Sequence, residues 1–112
     1  MNSSRTFIAL IIALATVTAA ATYAADAAAK WGERCAKCHG EDGKGQTKMG
    51  KKLSIADLSD AKVQAKFTDE DAFKAMKSGL KDDKGKTTMK AIEDMSDADM
   101  KAMIPFVRAL KK

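Results

Sequence analysis

The sequence predicts an all-α fold, built from about four short helices. No segment has the β-branched and aromatic residues typical of a strand. Two segments instead begin with a residue that can cap a helix: Thr68 precedes three acidic residues, and Ser96 lies three residues before Asp99. Beyond Ser96, apolar residues recur on one helix face as far as Leu110. Glycines fall between these segments, so we expect helices joined by glycine-containing loops.

The N-terminus predicts a secretory signal peptide over residues 1–25. Arg5 precedes an apolar stretch at 7–17, and small residues follow through Ala25. We expect cleavage after Ala24 or Ala25, and hence a periplasmic protein. The alternative is an uncleaved membrane anchor, because the leader approaches the roughly 20 apolar residues that span a bilayer.

Residues 26–112 are expected to form one domain. A domain of this size buries only a small apolar core, so we expect an additional stabilising group. Arg5 is the one charged residue of the leader, so this domain keeps 19 basic and 15 acidic side chains, a net charge of +4. The two signs are interspersed, which together with the export signal argues against nucleic acid as a partner.

The helices are expected at about residues 27–38, 61–65, 68–79 and 96–110. The segments 44–52 and 81–91 are expected to be irregular, polar loops. Pro105 should interrupt the last helix, because it lacks the amide that would donate to the Lys101 carbonyl.

The strongest functional signal is the string Cys35-Ala36-Lys37-Cys38-His39, which contains both cysteines and the one histidine of the chain. In one helical turn the two sulfur atoms share a face, where they can form thioethers with the vinyl groups of a haem. The adjacent imidazole can bind the iron. The string therefore predicts one covalently attached haem c, held by Cys35 and Cys38, with His39 as an axial ligand. This haem would also be the additional stabilising group expected for so small a domain.

Two other interpretations of the string are weaker. A redox-active dithiol is typical of a βαβ setting, for which the chain has no strand pattern. A zinc site needs further Cys or His ligands, and the sequence has none.

A haem that carries electrons needs a second axial ligand, which cannot be a second histidine here. Methionine is the usual alternative. The internal methionines are Met49, Met76, Met89, Met95, Met100 and Met103. Met76, Met95, Met100 and Met103 lie on or beside helical apolar stripes, where methionine typically fills a core. Met89 has no such pattern around it, so we expect it as the sixth ligand, with Met49 as the rival.

These motifs resemble those of the small class I cytochromes c of bacteria. The resemblance covers nearly all of residues 26–112, through Trp31, Cys35-Ala36-Lys37-Cys38-His39-Gly40, Asp42-Gly43-Lys44-Gly45, the Met89 loop, Ser96-Asp97-Ala98-Asp99 and Phe106-Val107-Arg108-Ala109-Leu110. It implies a cytochrome c-like fold around one haem. The first and last helices would cross beside the haem, with Phe106 packed on Ala27 or Ala28.

Two positions depart from the family pattern. The family commonly has a proline after the haem loop, whose carbonyl accepts a hydrogen bond from the ligand imidazole. Residues 49–53 contain no proline, so another backbone carbonyl of this stretch would have to serve. At the distal ligand the family often has a Met-Pro pair, where this chain has Met89-Lys90. A weak or displaceable Met–iron bond is therefore the alternative to a stable one.

The resemblance implies a one-electron carrier between exported redox partners, as in a respiratory chain, rather than an enzyme. The alternative is a peroxidase-like haem enzyme or small-gas sensor with a labile sixth ligand. Partners with an acidic docking face are expected, because lysines flank the predicted haem loops. These lysines are Lys37, Lys44, Lys48, Lys51, Lys52, Lys86 and Lys90.

Overall fold

The computed structural model describes residues 26–112. The leader predicted over residues 1–25 lies outside this described part. In chain order the elements are α1 (residues 26–34), α2 (Ala36–His39), α3 (Lys48–Lys52), α4 (Ala61–Gln64), α5 (Asp69–Ser78), β1 (Leu80–Lys81), β2 (Thr87–Met89) and α6 (Asp97–Ala109). The helical architecture confirms the predicted fold class.

The helix boundaries that depend on capping residues are confirmed. Thr68 and Asp71 form a capping box at the start of α5, in which each side chain accepts a hydrogen bond from the other residue's backbone N–H. The helix ends before Gly79, whose φ of +75° favours glycine. Ser96 caps α6 by accepting from the Asp99 N–H at 3.1 Å. Local hydrogen bonds therefore explain why these helices begin where they do.

Two segments expected to be irregular contain regular structure. Residues 44–52 include the short helix α3, capped by the Thr47 side chain, which accepts from the Gly50 N–H at 2.9 Å. Residues 81–91 include part of an antiparallel hairpin, in which Leu80 pairs with Met89. Its loop is held by Asp82, whose carboxylate accepts from the N–H groups of Lys84 and Lys86. Most side chains of these two segments are exposed. Neither segment therefore shows the amphipathic pattern from which a helix or a strand is predicted.

Pro105 lies inside α6, and the helix continues on both sides of it. The helix packs against α5, and its buried residues join the core. The core cluster consists of Trp31, Cys35, Met76, Met95, Met100, Met103 and Val107. Methionine thus supplies much of the buried apolar surface.

The first and last helices meet at Trp31 and Phe106, whose ring centroids are 5.3 Å apart. Lys30 and Asp99 add an ion pair of 2.9 Å between the same helices. Ala27 is buried and Ala28 is exposed, so only Ala27 fits the small position expected at this crossing. Among residues 26–112, no helix is long and apolar enough to cross a membrane.

Candidate functional site

An apolar cleft of about 250 Å³ lies between the elements. Its lining comes from the α1–α2 turn, the segment leading to α5, α5 itself, the hairpin and α6. The lining residues are Trp31, Cys35, His39, Leu58, Phe67, Asp71, Ala72, Ala75, Met76, Leu80, Met89, Met103 and Val107. Except for His39 and Asp71, all of these side chains are apolar. The cleft therefore suits an apolar ligand with a polar or metallic centre near His39.

The predicted attachment string consists of Cys35, which lies between α1 and α2, and the single turn of α2. The Cys35 carbonyl accepts hydrogen bonds from the Cys38 N–H at 3.2 Å and the His39 N–H at 2.9 Å. This turn brings Cys35 and His39 to the cleft. Cys38 is half-buried and lies in the same turn, and both cysteines are free thiols. Both sulfur atoms are thus available for covalent attachment.

The thiol chemistry of this turn differs from that of a redox-active dithiol. Burial raises the pKa of the Cys35 thiol to about 11, and the neighbouring Cys38 adds to the effect. Reactive dithiols depend instead on a lowered pKa, because the thiolate is the nucleophile. The described residues also contain no cluster of three or more His, Cys, Asp or Glu side chains that could hold a metal ion. These observations disfavour both the dithiol and the zinc interpretations.

The His39 imidazole lies on the cleft with its Nδ1 atom buried. Burial lowers the pKa of the imidazole, which keeps it in the neutral form that binds metals. Its Nδ1 atom is buried without a hydrogen-bond partner among the described residues. The backbone carbonyl expected from residues 49–53 therefore does not serve as acceptor; the Met49 carbonyl accepts from the Leu53 N–H at 3.0 Å, and the Lys51 carbonyl accepts from the Ser54 N–H at 3.3 Å. A neutral imidazole on an apolar cleft, with a buried Nδ1 that no residue of 26–112 bonds, fits an iron ligand.

Trp31 braces the attachment turn from α1. Its Nε1 donates to the Gly40 carbonyl at 3.0 Å, and its ring lies 5.6 Å from the His39 ring, centroid to centroid. Gly50 supports the same turn from α3, because a Cβ there would collide with the carbonyl oxygens of Gly45 and Cys38. The sequence predicts Cys35, Cys38, His39 and Met89 for the site, whereas the supporting contacts of Trp31 and Gly50 come from the structure.

Met89, Met76 and Met103 line the cleft, whereas Met49 does not. Met89 lies on β2 opposite Leu80, where Gly79 lets the chain pass close to it: a Cβ on Gly79 would lie 2.6 Å from the Met89 carbonyl oxygen. Met76 and Met103 are buried within α5 and α6. Met49 is 36% exposed on α3.

A wide groove adjoins the cleft and shares Leu80 and Met89 with it. Lys90, one of the lysines singled out in the sequence, lines this groove, and so does Lys81, which was not. Leu80 is 49% exposed between the groove and the cleft. Leu80 is thus an exposed apolar residue at the mouth of the cleft, next to a groove that carries Lys81 and Lys90 as well as the carboxylates of Glu93 and Asp94.

The comparisons with known proteins agree with this geometry. A family model described as cytochrome c matches residues 19–111. The chain belongs to the cytochrome c family. One solved structure similar to it is the KustC0563 c-type cytochrome, with a TM-score of 0.65, 30% sequence identity, and alignment over 76% of this chain and 96% of that one. No curated protein matches the chain in sequence.

The cofactor of this cytochrome c is a covalently attached haem c, one for its single attachment motif. The described residues fit this group: free thiols at the α1–α2 turn, an unpartnered imidazole and an apolar cleft. The family carries electrons by means of this haem, and the domain transfers them to and from redox partners.

Proposed function

We propose that this cytochrome c is a one-electron carrier between exported redox partners, with a low-spin haem bound by Cys35, Cys38, His39 and Met89. The observation that supports this most is that Cys35, His39 and Met89 line the same apolar cleft. Thioether attachment requires the two sulfur atoms of one helical turn, and Cys35 and Cys38 provide them.

The haem, when bound, supplies a couple that exchanges one electron. The residues of this chain do the rest. Cys35 and Cys38 hold the group covalently, the neutral His39 imidazole is available to its iron, and Met89 offers a thioether sulfur, which favours the ferrous state. The apolar lining excludes water and disfavours the additional positive charge of the ferric state. The chain therefore favours reversible electron exchange without a substrate reaction, and we propose no enzymatic activity.

The partners proposed for this carrier present an acidic docking face. Leu80 is exposed at the mouth of the cleft, beside Lys81 and Lys90 of the adjoining groove. Basic side chains around an apolar contact residue steer an acidic partner and orient it, more than they add affinity. Electrons would then enter and leave near Leu80 and Met89.

Export to the periplasm rests on the leader sequence, with Arg5, the apolar stretch and the small residues near Ala24 and Ala25. Fractionation of cells that produce the full chain, with mass spectrometry of the mature N-terminus, tests this part. A mature protein that begins near Asp26 in the periplasmic fraction supports cleavage. A membrane-bound chain that retains the leader supports the anchor instead.

The decisive experiment for the function is a pair of absorption spectra of the exported protein, oxidised and reduced. A low-spin c-type spectrum with the near-infrared sulfur-to-iron band, and no reaction with carbon monoxide, supports the carrier with a methionine ligand. A haem that binds carbon monoxide directly supports the enzyme or gas sensor, because such functions need an open or labile sixth position. A protein without covalent haem overturns the proposal.

A further inference from the structure

A buried glutamine joins two residues of the cleft lining that are far apart in the chain. Gln64, at the end of α4, is 5% exposed. Its side-chain nitrogen donates to the Leu58 carbonyl at 2.7 Å and to the Val107 carbonyl at 2.9 Å. Leu58 and Val107 both line the cleft. Gln64 therefore fixes the backbone of two lining residues relative to each other.

Arg108 of α6 completes this cluster and holds a third lining residue. Its Nη1 donates to the Gln64 carbonyl at 2.7 Å and to the Gln64 side-chain oxygen at 2.9 Å. Its Nη2 donates to the Phe67 carbonyl at 2.9 Å, and the guanidinium carbon lies 4.5 Å from the centre of the Phe67 ring. Because Phe67 lines the cleft, a positive charge is held against the cleft wall.

The charge of Arg108 is only partly neutralised. Its Nε donates to the Asp69 carboxylate at 2.9 Å, but the Asp69 side chain is 67% exposed and that of Arg108 is 32% exposed. Water therefore screens the carboxylate more than the guanidinium, which faces an apolar wall. Ferric haem carries one more positive charge than ferrous haem. A fixed positive charge beside the cleft consequently disfavours the ferric state.

We infer that Gln64 and Arg108 act together as a positioning unit, which fixes the Leu58, Phe67 and Val107 wall and holds a charge there that shifts the haem toward its ferrous state. The inference rests on the proposed function only in requiring a bound haem. It does not depend on which methionine is the sixth ligand.

The test is the midpoint potential of the haem-loaded protein and of four variants. Arg108→Gln removes the charge, and we expect the ferrous-to-ferric ratio at a fixed ambient potential to fall about threefold to tenfold, where tenfold corresponds to about 59 mV for one electron. Asp69→Asn removes the opposing charge and should raise the ratio. Arg108→Lys keeps the charge but loses the planar fork that reaches Gln64 and Phe67 together, so its shift should have the same sign as that of Arg108→Gln and be smaller. Gln64→Leu removes the side-chain oxygen that Arg108 bonds and the amide that joins Leu58 to Val107, but leaves the bonds of Arg108 to the Gln64 and Phe67 backbone carbonyls, so it should lower the ratio less than Arg108→Gln does.

Lys74→Gln is the matched control. It removes one positive charge from an exposed ion pair with Glu70 on α5, and neither residue lines the cleft. We expect less than about a twofold change, because water and salt screen this charge. Unfolding of both oxidation states is measured in parallel, since a merely structural role lowers the stability of both equally and leaves the potential unchanged.

The outcomes separate this inference from the proposed function. A wild-type protein without a reversible couple overturns both. If the wild type has a reversible couple, but Arg108→Gln and Asp69→Asn shift its midpoint potential no more than Lys74→Gln does, the inference alone is overturned. Should Arg108→Gln fail to fold, opposite shifts in Asp69→Asn and Arg108→Lys still support it, and equal potentials in these two overturn it.

Discussion

Met89 shares the cleft with two buried methionines, so its role as a ligand depends on position rather than on chemistry alone. Met76 and Met103 belong to the core and are 5% and 1% exposed, whereas Met89 is half-buried on a short strand. We predict that Met89→Ala abolishes the near-infrared sulfur band and lets the ferrous protein bind carbon monoxide, because Met76 and Met103 are held in the core by α5 and α6. Absorption spectroscopy of the two oxidation states measures both effects.

Met49→Ala is the control for this substitution. Met49 is exposed on α3 and does not line the cleft, so its loss should leave the spectrum and the potential unchanged. If Met49→Ala loses the sulfur band and Met89→Ala keeps it, the rival ligand predicted from the sequence is the correct one.

Trp31 joins α1 to the attachment turn through one buried hydrogen bond, from its Nε1 to the Gly40 carbonyl. Trp31→Phe keeps an aromatic ring near His39 but removes the donor. We expect the free energy of unfolding to fall by about 1 kcal/mol, because the buried Gly40 carbonyl loses one of its two donors and keeps the Gly43 N–H at 3.2 Å. Denaturant unfolding measures this. Phe106→Leu, which removes the ring contact with Trp31 but no hydrogen bond, should cost less, and a larger loss there would contradict the role of the hydrogen bond.

At the scale of the element, α5 is the helix whose start is most clearly determined by the sequence. Thr68 accepts from the Asp71 N–H at 3.0 Å, and the Asp71 carboxylate accepts from the Thr68 N–H at 2.9 Å. Thr68→Ala should lower the free energy of unfolding by about 1 kcal/mol, the usual cost of a lost cap. Thr68→Ser keeps the hydroxyl and should lose much less. Equal losses in the two variants would show that the hydroxyl does not matter.

The same capping box gives a pH dependence with a definite sign. Hydrogen bonds from the Thr68 backbone and side chain hold the pKa of Asp71 below its usual value of 3.8. The stability that this carboxylate contributes is therefore present above that usual value and is lost as the pH falls through the lower pKa of the folded state. In Asp71→Asn this part of the acid dependence should be absent, which a comparison of unfolding at neutral and acidic pH measures.

The capped helices could be predicted from the sequence because their signals are local. Thr68, Asp71 and Gly79 lie within one short segment, and their hydrogen bonds form inside it. The hairpin could not, because Leu80 pairs with Met89 across a charged loop with no alternation of polarity. α3 was missed for a similar reason: five residues with three lysines give no amphipathic face, and only the Thr47 cap marks its start.

At the scale of the whole molecule, the attachment turn could be predicted but the cleft around it could not. Cys35, Cys38 and His39 form one string, so their chemistry is visible in the sequence. Gln64 and Arg108 are 44 residues apart, and nothing in either segment indicates that they meet. Phe67 and Leu58 likewise become lining residues only through packing. The pattern of residues within one segment does not indicate which distant segments it will contact.

Charge around the cleft mouth should control encounter with partners over the whole molecule. Residues 26–112 carry a net charge of +4 before the haem is counted, and Lys81 lies beside the exposed Leu80. We predict that Lys81→Glu slows bimolecular electron transfer to an acidic partner several-fold at low ionic strength. The difference from wild type should shrink as salt is added, because the Debye length falls from about 30 Å at 0.01 M to about 10 Å at 0.1 M. Stopped-flow rates across this range measure both effects.

Lys74→Glu is the matched charge reversal on the exposed surface of α5, away from the groove. If docking occurs at the mouth of the cleft, it should slow the reaction less than Lys81→Glu, although both variants have the same net charge. Equal effects would mean that net charge alone guides the encounter and that Leu80 and Lys81 do not form the docking site. A smaller salt dependence for Lys81→Glu than for Lys74→Glu would locate the contact at Lys81, since salt has less attraction to screen once the positive charge nearest the partner is lost.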